Sequence, residues 1–524
     1  MSPVRRLTPR HALLVGSEVL PFSKSGGLAD VLGALPPALA RRGWQVTVVS
    51  PRYRGVDAGA LVDRVPIVLG GQSFDVGFYD APMADGARAL LIDVPELFDR
   101  EGLYHVGNVD YVDNPRRFAL LSKAALEWAA GQGQPLGIVH AHDWQAGLVP
   151  VYLRTHYAQH PVLAATPVVF TIHNLAYQGL FEPDWLPRLD LPWDLFAVER
   201  MEFWGRISFL KGGINDASLI TTVSPTYAHE IQTTESGCGF EGILTRRAND
   251  LVGILNGIDV ASWDPASDSH LPAPYSLEDL SGKRQAKVAV LSRYGLKADE
   301  PTLDRPLIGM ISRMVDQKGL DLIAASAATL PGLDATFVVL GTGEARYEDM
   351  WRSLAVRHPD RVGVIVGFDE SLAHLIEGGA DAFLMPSRYE PCGLNQMYSI
   401  RYGTVPIVRA TGGLADTVVD YAPRRRSATG IVFRDYTAEA LVQAIRRAIV
   451  LYRQPRIWRG LQVAVMKQDH SWDQSAREYV KIYDRLCRTR GAAARTAGSD
   501  RTELLEKHRR AGRTRRDMTA GRET

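Results

Sequence analysis

The stretch HALLVGSEVLPFSKSGGLADVLGALPPALARRGWQVTVVS, His11 to Ser50, decides how the fold is read. It opens with HALLVGSEV, an apolar run of strand length. A glycine-rich loop follows, then LADVLGALPPALARRG, an amphipathic pattern closed by Gly43. WQVTVVS is a second strand. Strand, glycine loop, helix and strand in this order make a βαβ unit. The pentapeptide GGLAD at 26–30 returns at 412–416, inside RATGGLADTV, again after an apolar run. A glycine pair at such a turn lets backbone N–H groups approach an anion closely. One such turn is equally well a packing turn without a ligand. Two in matching contexts point to two loops facing one phosphate-bearing ligand across a cleft between domains.

Working outward, the first half continues with LGIVHAHDW, ATPVVFTIHNL and ASLITTVSPTYAHEI, buried-strand runs with polar residues at their C-terminal ends. Ser224-Pro225 opens a helix. LVGILNGID reads as the crossing point. The second half starts over with helical SGKRQAKVAVLSRYGL, then strands RPLIGMISRM, ATFVVLGTGE, VGVIVGF, ADAFLMPS and TVPIVRATGG. Near-continuous apolar runs suit parallel strands buried on both faces. The expected class is α/β, two doubly wound domains in series, with ligands in crevices at the strands' C-terminal ends. The expected boundaries are 1–252, 253–468, a last amphipathic helix over 469–488 packing back on the first domain, and a basic disordered tail over 489–524.

A chain of 524 residues exceeds one ordinary core, which agrees with two domains. Net charge is +1, so the bulk offers no nucleic-acid or membrane surface. No apolar run is long enough for a membrane span. HALLVGSEVLPF is short and carries Glu18, so it reads as a strand rather than a signal peptide. Cys238, Cys392 and Cys487 are too few and too scattered for a disulfide framework, which fits a reducing cytoplasm.

Polar residues cluster at strand ends: His140, His142 and Asp143; His173 and Asn174; Arg313 and Lys318; Glu390. A zinc site in HAHDW is disfavoured, because His140 and His142 are read as pointing to opposite sides and no HExxH pattern supports it. Neither a metal nor a cofactor is expected. Asp143 is either a functional carboxylate or the cap of a helix near Gln145. Arg313 and Lys318 are either surface charge or a clamp on a diphosphate leaving group. The absence of GxxxxGK[ST] disfavours a P-loop ATPase.

The motifs SEVLPFSKSGGLADVLGALP, HAHDWQAGL, FTIHNLAYQG, TTVSPTYAHEI, GILNGID, ISRMVDQKGLDLI and PSRYEPCGLNQMYSIRYGTVPIVRATGGLADTV, with a C-terminal HSW, resemble the bacterial glycogen synthase and plant starch synthase family. The resemblance spans about Leu13 to Leu486. It implies a GT-B glycosyltransferase, two Rossmann-like domains facing each other across a cleft. It also implies retaining transfer of glucose from ADP-glucose to the non-reducing 4-OH of an α-1,4-glucan.

By that resemblance Lys24 binds the sugar nucleotide, and Gly26 and Gly27 approach its phosphates or glucose. Asp143 sits by the donor glucose or acceptor. His173, with Asn174 beside it, lies at the anomeric carbon, where its backbone carbonyl steadies positive charge. Arg313 and Lys318 bind the departing diphosphate, and Glu390 holds the glucose hydroxyls. Cys392, Gly393 and Leu394 line the same loop, with Cys392 read as a small buried neighbour rather than a nucleophile. Thr411, Gly412 and Gly413 contact the diphosphate. Eight residues after Glu390, where many retaining GT-B enzymes carry a second Glu, this chain has Tyr398. Two other readings stand beside this one: a UDP-glucose-using, sucrose synthase-like transferase, and a glycan-binding protein that kept the fold without the chemistry.

Overall fold

Strand His11–Val15 lies between Gln45–Pro51 and Ile138–His142 and runs parallel to both. The computed structural model describes residues 9–107, 109–423 and 427–490. Of the basic tail read above over 489–524, residues 489 and 490 continue the last helix, and 491–524 lie outside the described residues. The chain separates into two units. The first comprises the described residues up to Phe170, Gln178–Leu219, and those from Ala476 on. The second comprises Thr171–Tyr177 and Ile220–Ser475.

In the first unit the sheet order continues outward from Gln45–Pro51 to Arg88–Asp93, then to Gln72–Pro82 and Ala60–Leu69. Arg88–Asp93 is parallel to Gln45–Pro51, whereas the last two strands add antiparallel. On the other side Ile138–His142 neighbours Val168–Ile172. The inner strands are buried almost throughout, as their apolar runs require. The antiparallel pair alternates instead: Phe74, Val76 and Phe78 are buried, while Gln72, Ser73 and Asp75 are exposed. Helix Gly27–Ala40 buries Leu28, Val31, Leu32, Leu35 and Leu39.

Residues 472–490 are helical. The part in the first unit is tied by Tyr483 to His140 Nδ1 at 2.6 Å and by an ion pair of Asp484 with Arg10 at 3.2 Å. The Cys487 thiol also donates to the Gly137 carbonyl at 3.4 Å.

The second unit carries a six-stranded parallel sheet. Its order is Val362–Val366, Thr336–Gly341, Leu307–Ile311, Ala382–Met385, Val405–Arg409 and Ile431–Phe433. Numbered along the chain this is 3-2-1-4-5-6, the doubly wound order of dinucleotide-binding folds. Alternate residues feed two cores. Ile308, Met310, Phe337, Val339, Ala382 and Leu384 enter one cluster. Leu307, Val338, Leu340, Phe383 and Met385 enter another. Both faces are therefore covered, and the uninterrupted apolar strands follow from that. Among the described residues no helix is long and apolar enough to cross a membrane.

Candidate active site

A doubly wound sheet opens a crevice where successive crossovers leave on opposite faces. In the second unit that switch point lies between Leu307–Ile311 and Ala382–Met385, neighbours in the sheet. Arg313 and Lys318 follow the first of these strands, and Glu390 follows the second. Fold topology thus brings together three residues drawn from segments some 70 positions apart (72 separate Lys318 from Glu390).

Glu390 is 5% exposed. Its Oε2 accepts from Lys318 Nζ at 2.6 Å and from Ser387 Oγ at 3.0 Å. Lys318 keeps a fifth of its side chain exposed. Arg313 is exposed and its guanidinium donates to Gln317 Oε1 at 3.1 Å. Gly319, with φ 76, lets the turn after Lys318 approach the Pro386 carbonyl, which an added Cβ would meet at 2.1 Å. Tyr389 senses the same neighbourhood. Burial raises its phenol pKa first, Tyr177 and Cys238 add to that, Arg313 opposes it, and Glu390 adds a little.

The second GGLAD turn packs directly on this loop. An added Cβ on Gly412 would lie 1.9 Å from the Glu390 carbonyl, and one on Gly413 2.0 Å from that of Cys392. Gly412 also has φ 43. The Gly413 amide donates to the carbonyls of Glu390 at 3.1 Å and Pro391 at 3.2 Å. Thr411 Oγ1 and the Gly412 amide donate to Glu230 Oε1 at 3.0 and 2.9 Å. One helical turn earlier, the Thr226 amide and hydroxyl donate to Asp416 at 2.9 and 2.6 Å. Helix Pro225–Glu230, capped by Ser224 on the Tyr227 amide, is thereby clamped to the glycine turn at both ends. The glycine amides of this turn are occupied by protein acceptors, so positive charge at the site comes from Arg313 and Lys318.

Burial pushes the Cys392 thiol up to about 12, so it carries no thiolate at neutral pH. Gly393 has φ 71 and sits against Gln396, and Leu394 leads into helix Asn395–Arg401. His173 and Asn174 follow strand Val168–Ile172. His173 retains some surface, yet desolvation by the surrounding fold lowers its imidazole to about 3. It is neutral at any ordinary pH. Asn174 Oδ1 accepts from the Ala176 amide at 3.1 Å, which fixes the turn.

In the first unit the corresponding switch point falls at His11–Val15, between Gln45–Pro51 and Ile138–His142. Lys24, Gly26 and Gly27 follow His11–Val15, and Asp143 follows Ile138–His142. Lys24 is half-exposed and pairs with Asp30 at 2.8 Å. Nearly buried Glu18 accepts from the Ser25 amide, from Ser25 Oγ at 2.7 Å and from the Gly26 amide at 3.1 Å. Tyr104 donates to it as well, at 2.6 Å. Asp143 does not cap the helical turn that follows, since its side chain makes no capping hydrogen bond. Its φ of 56 and ψ of −177 fall in a region nearly restricted to glycine, a strain of about 1–3 kcal/mol. Such strain at a strand end is characteristic of functional residues.

The expectation that His140 and His142 point apart is corrected. Residues two apart on a strand share a face, and the two rings lie 4.1 Å apart between centroids. Their neighbourhood is aromatic: Tyr479 lies 5.5 Å and Tyr483 5.9 Å from the His140 ring. Sequence reasoning passed over Glu230, Asp416 and Ser387, and noted Glu18 only as a charge in a strand. Glu18 had a local signal, a carboxylate seven residues before the loop it holds. Glu230 had none, being 181 residues from Thr411.

Residues 11–246 match the family model described as starch synthase catalytic domain, and residues 296–459 match glycosyl transferases group 1. The chain is 50% identical over 478 residues to a glycogen synthase of Anaeromyxobacter dehalogenans, covering 90% of this chain and 98% of that one. It is 45% identical over 483 residues to a glycogen synthase of Koribacter versatilis, covering 92% and 99%. The catalytic domain of starch synthase IV from Arabidopsis thaliana, bound to ADP and acarbose, superposes with a TM-score of 0.83 at 33% identity, covering 91% of this chain and 99% of that one. A sucrose-phosphate synthase from Thermosynechococcus elongatus shares the fold at 18% identity and a TM-score of 0.56, covering 91% and 99%. Two doubly wound units with these matches define a glycosyltransferase of the GT-B class. Within that class the chain belongs to the glycogen synthase and starch synthase family.

Proposed function

We propose that the chain transfers glucose from ADP-glucose to the non-reducing 4-OH of an α-1,4-glucan, with retention, in glycogen synthesis. The observation that carries this reading is the cluster at the second unit's switch point. There a buried carboxylate, Glu390, sits 2.6 Å from Lys318, with Arg313 at the same strand end. A nucleotide sugar already has a good leaving group, so catalysis requires neutralising diphosphate charge as the glycosidic bond breaks. Arg313 and Lys318 supply two cations for that. Glu390, whose charge Lys318 balances, accepts hydrogen bonds from glucose hydroxyls.

Thr411, Gly412 and Gly413 contact the diphosphate through close backbone approach, beside Cys392, Gly393 and Leu394. The amides of Gly412 and Gly413 are already bonded, so the cations carry most of the binding. The backbone carbonyl of His173 steadies the oxocarbenium-like carbon, and Asn174 holds that turn. The imidazole, neutral throughout, adds no competing positive charge. The leaving phosphate takes the acceptor's proton on the same face. In the first unit Lys24 binds the sugar nucleotide, Gly26 and Gly27 approach it, and strained Asp143 meets the glucose or the acceptor. Three free cysteines fit a reducing cytoplasm.

Assaying labelled ADP-glucose and UDP-glucose side by side with glycogen tests this. The expected result is incorporation from ADP-glucose in clear preference. Preference for UDP-glucose overturns the donor assignment. No incorporation from either leaves a glycan-binding protein and overturns the reading altogether.

A further inference from the structure

Another cluster of chemistry-bearing side chains lies in the second unit, apart from the residues above. One ligand atom each from Asp268, His270 and His374 lies within 4.8 Å of the other two. Asp268 and His270 sit on the irregular segment before helix Ser281–Arg293, and His374 is on helix Glu370–Gly379. Asp268 and His374 are nearly sealed, with side chains 1% and 6% exposed, while His270 is exposed.

The cluster is rigid and charged. His374 Nδ1 lies 2.8 Å from Asp268 Oδ2, and the His270 amide donates to Oδ1 at 2.9 Å. The Tyr402 hydroxyl also donates to Oδ2. Burial opposes ionisation of Asp268, but the bonds from Tyr402, the His270 amide and His374 outweigh it and hold the carboxyl below its ordinary range. The His374 ring stacks on Trp263 at 3.7 Å, and Trp263 stacks in turn on Tyr398 at 3.8 Å. The His270 ring lies 4.6 Å from that of His374. The site therefore has a fixed inner pair and a third ligand at the surface as an entry side.

We propose that Asp268, His270 and His374 bind one borderline divalent cation, of which Zn²⁺ is the type. One carboxylate oxygen and two imidazole nitrogens suit such an ion, and three protein ligands leave a fourth position for water. Two ligands on a tetrahedral zinc stand about 3.3 Å apart, so the 2.8 Å contact between Asp268 and His374 opens by about half an ångström. The ion takes the place between His374 Nδ1 and Asp268, and His374 binds it as a neutral imidazole with its ring proton on Nε2. Tyr402 and the His270 amide stay on the carboxylate and orient it. The ion ties this irregular segment to helix Glu370–Gly379. Through the stacked rings it steadies Tyr398, eight residues beyond Glu390. The site stands independently of the transfer reaction.

The test is calorimetric titration of the full-length, chelator-stripped protein with zinc chloride. The expected result is one equivalent bound and a raised thermal midpoint. His270→Ala, at an exposed position that leaves the fold intact, should weaken binding at least tenfold and abolish the midpoint shift. His105→Ala, a surface histidine of the first unit, should leave both unchanged. No binding at micromolar zinc overturns the proposal, as does binding that His270→Ala leaves unaltered.

Discussion

The same five residues, GGLAD, stand at 26–30 and at 412–416 in opposite surroundings. In the first turn Lys24 to Gly27 are exposed, and an added Cβ on Gly26 would meet nothing within 4 Å. In the second, Thr411 to Leu414 are buried, and added Cβ atoms would strike backbone carbonyls at 1.9 and 2.0 Å. Each turn has an amide held by a carboxylate of its own chain: Gly26 by Glu18, Gly412 by Glu230. The final aspartates differ as well. Asp30 pairs with a half-exposed lysine, whereas Asp416 clamps the Thr226 backbone and hydroxyl. The shared pentapeptide does not even fix the backbone, since Gly26 is extended at φ −155 whereas Gly412 has φ 43. What the turn does is set by the partners the fold brings to it.

The largest expected effect falls beside the second turn. Glu390→Ala should lower the transfer rate about a thousandfold, the upper scale for losing one preorganised polar group at a reacting centre. Circular dichroism should report an intact fold, and an unchanged turnover number would show that the second turn's neighbourhood is not where glucose is held. Next, alanine at equivalent glycines separates the turns. Gly412→Ala should cost about 1–3 kcal/mol through overpacking against the Glu390 carbonyl, read as a lowered denaturation midpoint. Gly26→Ala should stay within about 1 kcal/mol, the cost of a poorer helix cap. Equal midpoints would erase the contrast.

Glu230→Ala strips the acceptor from Thr411 and Gly412 and should cost about 1–3 kcal/mol. Glu230→Gln should recover part of that. A smaller effect is read from pH. The folded-state imidazole of His173 sits at about 3, below its unfolded value of 6.5. Below pH 6.5 the unfolded chain binds the extra proton, so this group's contribution to stability is lost as pH falls toward 3. The midpoint difference between wild type and His173→Asn should therefore shift across that window and stay flat above it. The smallest stability effect is Lys24→Ala, about 0.5 kcal/mol or less for an exposed ion pair, although the donor KM should rise.

Much of the fold was legible because parallel strands buried on both faces write themselves as unbroken apolar runs. Five of the six parallel strands of the second unit fall within the runs that announce them, and only the short edge strand Ile431–Phe433 had none. The antiparallel pair Ala60–Leu69 and Gln72–Pro82 was passed over, although alternation around Gly70-Gly71 marked it. The site residues were legible as polar punctuation at strand ends, which is where a doubly wound topology puts them. Glu230 was invisible because its partners are 181 and 182 residues away and only tertiary packing brings them together. His140 and His142 were misread through the pleat, and the strain at Asp143 has no signature in residue type.

The most direct measurement follows the anomeric configuration and origin of glucose added to glycogen by the wild-type chain, using ADP-glucose labelled at C1. The account predicts label in new α-1,4 linkages, with ADP released in equal amount. Free labelled glucose without chain extension, β-linked product, or no ADP release would contradict it.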